Sequence, residues 1–292
     1  MFHRVENFLE AVQRNVKDSL YEDIGNQDLS STFLTDKKIN AKVFVNDDDI
    51  VLCGNAWFEN SFYFVDKSIK IIWHKNEGEV INNGDCVCSI EGKIKKLLLS
   101  ERSALNFLQI LSSTATNTRK FKKLLKNCKN SSCKVVDSRK TIPGLRLAQK
   151  YAVRVGGGCN QRFGLWDSVL LKENHLISFG GLKKLKSKYE NILNFSESIS
   201  TDIEKIQVEV ENLEELNCAI DFGIKNILLD NFTIENLHKA VAINNQFAIL
   251  EASGGIKLDN FEDYVNSGVD RVSIGALTKN INATDYSMRF QK

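Results

Sequence analysis

The stretch "IQVEVENLEELNCAIDFGIKNILLDNF", residues 206–232, places a helical pattern between two short apolar runs. The runs "IQVEV" and "NILLD" are rich in aliphatic and β-branched residues, whereas "LEELNCAIDFG" spaces its apolar residues as one face of a helix does. Parallel strands need a crossover connection, which is usually a helix. The stretch therefore predicts a strand, a helix and a second strand of an α/β fold.

The same alternation extends through most of the chain after residue 110. Further apolar runs with strand character are "KVVD" (134–137), "YAVRV" (151–155), "SVLLK" (168–172), "FAILEA" (247–252) and "DRVSIG" (270–275). Together with the two runs above they predict a seven-stranded open α/β barrel, one strand short of the eight of a closed barrel.

The first 110 residues read differently. "VENFLEAVQRNV" is helix-like, and the runs "AKVFVND", "VLCG", "IKIIW" and "DCVCSI" are typical of a turn-rich sheet. We expect an N-terminal α/β (α+β) sandwich domain over 1–110 and an α/β barrel catalytic domain over 111–280. The β pattern of "ATDYSMRF" predicts that residues 281–292 return to the N-terminal sheet.

Composition limits the classes of function. Apolar residues make up 42% of the 292, but no run approaches the roughly 20 that cross a membrane. The net charge of +2, from 39 basic and 37 acidic residues, argues against nucleic acid as a partner. The first residues do not resemble a signal peptide, which favours the cytoplasm. The seven cysteines lack zinc-site spacing and are expected to be reduced thiols.

Polar residues gather after the predicted strands, where the groups of a barrel converge on one mouth. Cations and an amide follow the first three runs, carboxylates end the next two, and serine, glycine and alanine end the last two. The candidates are Arg139, Lys140, Gln161, Arg162, Lys172, Glu209, Asp230, Ser253, Gly254, Gly255, Ser273, Gly275 and Ala276.

The charges of these candidates indicate the chemistry of a ligand. Residues 137–172 contain seven cations and two acids, a local excess of five positive charges, so we expect a substrate with several carboxylates or phosphates. Glu209 and Asp230 are hard oxygen ligands of the kind that magnesium prefers. The small residues let backbone N–H groups approach a phosphate closely.

The chain contains a single proline, Pro143, in "DSRKTIPGLR" (137–146). Proline fits the first turn of a helix and disfavours helix in the residue before it. We therefore expect Pro143 to start the helix "PGLRLAQKY" and to stiffen the turn that holds Arg139 and Lys140.

Simpler interpretations exist for single positions. One arginine or lysine at a strand end is more often a solvated charge, and Glu211 alone is more often a structural ion-pair partner. The run "GGGCNQRFG" lacks the glycine spacing of a dinucleotide-binding loop. Coincidence across all of these strand ends is a weaker explanation than a shared site.

Several stretches closely resemble quinolinate phosphoribosyltransferase. They are "LYEDIGNQDLSS", "ERSALNFLQILSSTAT", "DSRKTIPGLRLAQKYAVRVGGGCNQRFGLWDSVLLKENH", "VEVENLEEL", "ILLDNF", "EASGGI" and "VSIGALT", in order over nearly the whole chain. The resemblance implies a sandwich domain on a seven-stranded α/β barrel. It also implies a homodimer with shared active sites, or a hexamer, and a magnesium-dependent (Mg2+) reaction of quinolinate with phosphoribosyl pyrophosphate in NAD biosynthesis.

The resemblance also assigns roles to residues. Arg102 would reach into the neighbouring subunit's site, and Arg139, Arg162 and Lys172 would bind the two quinolinate carboxylates. Lys140, Glu209 and Asp230 would act as the catalytic residues that hold phosphoribosyl pyrophosphate and its magnesium. The 5′-phosphate would lie against Ser253, Gly254, Gly255, Gly275 and Ala276, with Ser273 also at the substrate.

Two positions depart from the family pattern. Gln161 replaces the usual histidine of "HRFG", and Lys279 replaces the histidine of "LTH". A glutamine still donates to a carboxylate, but it does not carry a proton near neutral pH. Two alternatives remain open: a phosphoribosyltransferase of this architecture acting on another pyridine or aromatic acid, and a catalytically silent relative that binds an anionic metabolite.

Overall fold

The computed structural model of the protein describes residues 5–291, and these divide into two compact units. Unit 1 comprises 5–119, Thr141–Gly157 and 277–291, and unit 2 comprises Lys120–Lys140 and Gly158–Ala276. The domain boundaries expected at 110 and 280 stay a prediction. Over the described residues, no helix has both the length and the apolar character needed to cross a membrane. All seven cysteines are free thiols, as predicted.

Unit 1 contains an antiparallel sheet. Its strands, in chain order, are β1 (Lys38–Val45), β2 (Ile50–Val51), β3 (Lys70–Trp73), β4 (Val80–Ile81), β5 (Cys86–Lys93) and, near the end of the chain, β12 (Tyr286–Phe290). Four of them form the sheet β12-β1-β5-β3, and β2 pairs separately with β4. Because β12 pairs with β1, with Val43 opposite Met288, the predicted return of the chain is confirmed.

The helices of unit 1 cover two apolar clusters. They are α1 (Phe8–Ile24), α2 (Asn55–Val65), the first part of α3 (Ile94–Leu125) and α4 (Arg146–Val155). One cluster joins the sheet to α2 and α3 through residues such as Val43, Phe58 and Leu105. The other joins α1, α2 and α4 through Val16, Trp57 and Ala152. Burial of these apolar faces is the main stabilising term for the elements.

Unit 2 contains a parallel sheet. Its strands are β6 (Lys134–Val136), β7 (Val169–Leu171), β8 (Ile206–Val210), β9 (Asn226–Asp230), β10 (Ile249–Ser253) and β11 (Arg271–Ser273). Within the described part of the chain they run in the order β6-β11-β10-β9-β8-β7. Residues of both faces are buried, as expected for a parallel sheet covered by helices. The predicted α/β class is confirmed.

Short helices follow the strands of unit 2. They are α5 (Glu173–Phe179), α6 (Leu182–Tyr189), α7 (Ile192–Ser198), α8 (Leu213–Phe222), α9 (Ile234–Asn244) and α10 (Phe261–Asn266), and α11 (Ala276–Lys279) follows β11. The opening stretch of the sequence is β8, α8 and β9, as predicted. Asn212 caps α8, since its side chain accepts a hydrogen bond from the N–H of Glu215, and Gly223 ends it with a φ of 95°.

The predicted strand "YAVRV" is wrong, because these residues form the second half of α4. Ala148 and Ala152, four residues apart, are fully buried in the core of unit 1, so the helical face outweighs the β-branched character of the two valines. The seventh position of the sheet is a single parallel bridge between Cys159 and Val136. The described residues therefore form six parallel strands and this bridge, rather than seven strands.

Pro143 does not start a helix, which corrects a second expectation. The N–H of Leu145 donates to the carbonyl of Ile142 at 3.1 Å, and Gly144 has a φ of 80°. Proline followed by a glycine of positive φ is the pattern of a type II turn. Arg14 and Asn15 of α1 donate to the Gly144 carbonyl, so the turn is tied to unit 1, and α4 begins after it at Arg146.

Candidate active site

The carboxyl ends of the parallel strands in unit 2 bring most of the predicted residues to one edge of the sheet. Ser253, the last residue of β10, lies opposite Asp230 on β9 and opposite Ser273 on β11. Glu209 is the fourth residue of β8, and Lys172 directly follows β7. Since the strands are parallel, their ends lie on the same side of the sheet.

Carboxylates collect at the ends of β8 and β9. Glu209 Oε2 lies 2.5 Å from Lys172 Nζ, and the Glu209 side chain is only 10% exposed. Asp230 Oδ2 accepts a hydrogen bond from the Asn231 amide at 2.8 Å. The pKa of Glu211 is raised by partial burial and by the charges of neighbouring carboxylates, including Asp230 and Glu209. The ends of β8 and β9 therefore bring several carboxylates close together.

The donor set fits magnesium if the substrate supplies the remaining ligands. Among residues 5–291, no group of three or more His, Cys, Asp or Glu side chains is arranged to hold a metal ion. Mg2+ is usually bound by one or two carboxylates together with water and substrate phosphates. Glu209 and Asp230 supply such a carboxylate pair on adjacent strands.

Two arginines of the predicted site, Arg139 and Arg162, lie close enough for their charges to interact. Arg139 follows β6, and Arg162 follows the Cys159 bridge. Burial and the nearby Arg139 charge lower the pKa of Arg162 from its ordinary value. Arg162 Nη1 donates to the carbonyl of Ser168 at 2.8 Å, but the Nε atoms of both arginines are buried and, within the described residues, have no hydrogen-bond partner.

The two unpartnered Nε atoms point to an anionic ligand. A buried donor without a partner costs free energy, so such groups are rare in folded proteins and call for an explanation. Repulsion between two like charges held close together also raises the free energy of the folded protein. A planar carboxylate that accepts from a guanidinium satisfies the free donor and neutralises the charge.

Gln161, beside Arg162, points into the sheet rather than towards the arginines' free donors. Its Nε2 donates to Glu251 Oε1 at 2.8 Å and to Gln207 Oε1 at 2.8 Å. Ser273 Oγ also donates to Glu251 Oε1, at 2.6 Å, so this predicted substrate-binding hydroxyl belongs to the same network.

Glu251 and Gln207 were missed by sequence reasoning, which considered only the residues at the ends of strands. Glu251 has no solvent exposure, and Gln207 is 8% exposed. The available signal was a carboxylate within "FAILEA" and an amide within "IQVEV", both in strands that should be buried on two faces. Asp137, which is fully buried, joins the same hydrogen-bond network, since its Oδ1 accepts a hydrogen bond from the backbone N–H of Gln161.

The turns after β10 and β11 are built from small residues for a steric reason. Gly254 has a φ of 101°, and a Cβ there would lie 2.1 Å from Asn231 Oδ1. Gly255, with a φ of 63°, faces open space. Gly275 and Ala276 follow β11 after one residue, Ile274. The turns can therefore bring backbone N–H groups close to a bound group.

Lys140, Lys172 and Arg102 are exposed. The N–H of Lys140 donates to Ser138 Oγ at 3.1 Å, a local turn that orients the residue after β6. Arg102 lies on α3 in unit 1, whereas the other candidates belong to unit 2. The seven cations of residues 137–172 are likewise divided between the two units: Arg146, Lys150 and Arg154 belong to unit 1, and the other four belong to unit 2.

A cavity of about 300 Å³ is lined in part by Gln161, Arg162 and Glu251. Its lining includes Lys134, Asn226 and Arg271, the first residues of β6, β9 and β11. It thus lies towards the amino ends of the strands, and its lining omits Arg139, Lys140, Lys172 and Asp230. Arg162 therefore borders this cavity and is also within electrostatic reach of Arg139 and Glu209.

Comparison with known proteins identifies the family of the chain. Residues 28–112 match the N-terminal domain of quinolinate phosphoribosyl transferase, and residues 114–289 match its C-terminal domain. The chain belongs to the quinolinate phosphoribosyltransferase family.

Individual relatives are similar over nearly their full length. A protein of Methanocaldococcus jannaschii named probable nicotinate-nucleotide pyrophosphorylase [carboxylating] is 35% identical, over 94% of this chain and 95% of its own. The chloroplastic nicotinate-nucleotide pyrophosphorylase of Arabidopsis thaliana is 33% identical, over 94% of this chain and 81% of its own. The solved nicotinate-nucleotide pyrophosphorylase of Francisella tularensis has a TM-score of 0.89 at 37% identity, and covers 98% of both chains.

Proposed function

We propose that the protein transfers the phosphoribosyl group of phosphoribosyl pyrophosphate to quinolinate, giving nicotinate mononucleotide, pyrophosphate and carbon dioxide. The observation that carries the proposal is the pair Arg139 and Arg162, each with a buried Nε that has no partner among the described residues. They lie on the same sheet edge as the carboxylate pair Glu209 and Asp230. A diacid and a metal-bound pyrophosphate together match this combination of charges.

Arg139, Arg162 and Lys172 bind the two carboxylates of quinolinate in this proposal. Guanidinium groups match the planar carboxylate and fix the orientation of the ring. Lys172 must exchange Glu209, its present partner, for a substrate carboxylate. Folding has already removed part of the hydration of Arg139 and Arg162. Their new hydrogen bonds to the substrate therefore need little further desolvation of these side chains.

Phosphoribosyl pyrophosphate lies along the remaining strand ends. Glu209 and Asp230 would hold Mg2+, which supplies positive charge beside the leaving pyrophosphate. Lys140 adds a positive charge beside the same phosphates. The 5′-phosphate is held by the turns at Ser253, Gly254, Gly255, Gly275 and Ala276, with Ser273 behind them.

The residues act through charge and orientation rather than through a nucleophile. Departure of pyrophosphate leaves an oxocarbenium-like ribose, and the pyridine nitrogen attacks it without help from a protein base. Fixed cations stabilise the developing negative charge of the leaving group because they need no reorganisation at that moment. The N-ribosylated ring then accepts the electron pair released as the 2-carboxylate leaves as carbon dioxide. Gln161, which has no titratable group, has no proton to transfer in either step.

The proposed assembly is a homodimer with shared active sites, or a hexamer of such dimers. Arg102 supports it, because this exposed cation belongs to unit 1, whereas the other candidates belong to unit 2. The Arabidopsis thaliana relative is named chloroplastic, so the cytoplasmic location expected from the sequence is a proposal to be tested by cell fractionation.

Substrate competition tests the proposal. Quinolinate and nicotinate should be supplied separately with phosphoribosyl pyrophosphate and Mg2+, and pyrophosphate release measured. We expect release with quinolinate and little with nicotinate, which has one carboxylate for two arginines. Release with nicotinate alone would assign the protein to the alternative phosphoribosyltransferase, and calorimetric binding without release would assign it to the silent, metabolite-binding class.

A further inference from the structure

The side chain of Gln161 is held in one orientation by hydrogen bonds at both its amide nitrogen and its amide oxygen. Its Nε2 donates to Gln207 Oε1 at 2.8 Å and to Glu251 Oε1 and Oε2 at 2.8 and 3.0 Å. Its Oε1 accepts from the backbone N–H of Arg162 at 2.8 Å. The reversed amide would place oxygen against a carboxylate and an NH2 group against a peptide N–H, so only this orientation pairs donors with acceptors.

Glu251 is the centre of the network. It is fully buried on β10, and both of its oxygens accept further bonds, Oε1 from Ser273 Oγ at 2.6 Å and Oε2 from Gln207 Nε2 at 3.1 Å. Arg271 Nη1 lies 3.9 Å from Oε2. A carboxylate this deeply buried is tolerated only where it is hydrogen-bonded and compensated by charge. Its partners stand on β8 and β11 as well, so the network is fixed to the sheet.

We propose that Glu251 is a positioning residue that aims Arg162 at the substrate. Glu251 holds the amide nitrogen of Gln161, the amide oxygen of Gln161 holds the peptide N–H of Arg162, and the guanidinium is thereby placed with its Nε free for a carboxylate. The inference rests on the proposed function. It assigns Gln161, at the position where the family usually has histidine, to support of Arg162 rather than to direct contact with quinolinate.

Exchanging the two groups tests the proposal. Gln161→Glu sets a carboxylate against Glu251 and should raise the Kd for quinolinate by about tenfold or more, whereas adding Glu251→Gln restores one amide and one carboxylate. In the double variant we expect the Kd and the quinolinate KM to return to within about threefold of wild type, because contacting residues couple strongly. Thermal unfolding of each variant is measured alongside calorimetry and steady-state kinetics.

The other outcomes overturn the proposal. If Gln161 contacts the substrate directly, glutamate at 161 would still repel it and Glu251→Gln would rescue nothing. If the network is only structural, the melting temperature would recover in the double variant but the quinolinate Kd would not. A wild-type protein that turns over no quinolinate would defeat the proposed function first, and the positioning role with it.

A single variant covers the case in which Gln161→Glu does not fold. In Glu251→Gln the new amide oxygen still accepts from Gln161, so the network is weakened rather than reversed. We expect the quinolinate KM to rise about three- to tenfold with the phosphoribosyl pyrophosphate KM unchanged, and equal changes in both would count against the proposal. Glu214→Gln, on an exposed helical glutamate paired with Lys183, is the matched control and should change neither.

Discussion

Arg139 and Arg162 are the residues whose environment is hardest to explain without a ligand. They lie close enough for one charge to lower the pKa of the other, and each buries a donor that no described residue satisfies. Such an arrangement lowers stability, and binding of an anion reverses the loss. The strained electrostatics thus indicate a site organised for a negatively charged substrate.

Truncation of Arg162 tests that interpretation. Loss of one partner from a buried charge pair costs about 2–5 kcal/mol, so Arg162→Ala should lower kcat/KM for quinolinate by roughly 30-fold to several thousandfold. The free energy of unfolding should not fall, because a desolvated cation is removed. Lys184→Ala, which removes an exposed cation from α6, should leave the kinetics within about twofold of wild type. Near-normal turnover by Arg162→Ala would remove the arginine from the site.

The carboxylates give a prediction about pH. The folded pKa of Glu211 is raised, first by burial and then by the charges of Glu173, Glu215, Asp230 and Glu209. A raised carboxyl pKa stabilises the fold below the unfolded pKa, and that stability is lost as the pH rises through the folded pKa. Glu211→Gln should therefore raise the free energy of unfolding at pH 7, within about 0.5 kcal/mol for this exposed position.

Denaturant titrations at two pH values measure this effect. The gain from Glu211→Gln should disappear near pH 3, where glutamates are protonated in both the folded and the unfolded state. An equal gain at both values would show that the neighbouring carboxylates are not its cause.

The charged strand-end residues could be predicted from sequence, because parallel strands must deliver the residues after them to one edge. Arg139, Lys172 and Asp230 follow from that rule. Glu251 does not, since a rule about strand ends ignores residues within strands. Its partners, Gln207 on β8 and Ser273 on β11, become neighbours only once the order of strands is known.

At the scale of elements, the glycines of "VGGGC" terminate a helix against another helix. A Cβ on Gly156 would lie 2.3 Å from the backbone oxygen of Ala115 on α3. Gly156 is the C-cap of α4, and the next residue, Gly157, has a φ of 88°, which favours glycine. These requirements, rather than a phosphate, explain the first two glycines of the run.

Gly156→Ala measures the tightness of that contact. Since the obstructing atom is backbone, it cannot move aside, and we expect a loss of about 1–3 kcal/mol in the free energy of unfolding or more. Urea denaturation provides the measurement, and Arg154→Ala, an exposed residue in the last turn of the same helix, is the control with little expected effect. A loss no larger for Gly156→Ala than for the control would contradict the packing account.

Element types were predictable where a buried face dominates, and least so between residues 143 and 159. "YAVRV" has strand-like composition, but Ala148 and Ala152 give it a helical face that only the core of unit 1 reveals. Proline is common both at the start of a helix and in a turn. The positive φ of Gly144, the next residue, is compatible with the turn and not with a helix. In place of the seventh strand, Cys159 forms a single β-bridge with Val136. One bridging residue has no alternating hydrophobic pattern from which it could be predicted.

At the scale of the whole molecule, sharing of active sites between subunits is open to a complementation experiment. Arg102→Ala and Lys140→Ala should each abolish activity when the variant protein is pure. In mixed dimers, one site of two receives both wild-type residues, so about a quarter of wild-type activity should return when half of the dimers are mixed. Native mass spectrometry confirms the mixing, and confirmed mixed dimers without activity would show that Arg102 serves its own subunit.

The most direct test of the whole account is the fate of the 2-carboxylate. Purified protein with quinolinate carrying a labelled 2-carboxylate, phosphoribosyl pyrophosphate and Mg2+ should release labelled carbon dioxide, with one nicotinate mononucleotide formed for each. Pyrophosphate released without labelled carbon dioxide, or no product although both substrates bind, would contradict a site built to hold a diacid beside a sugar pyrophosphate.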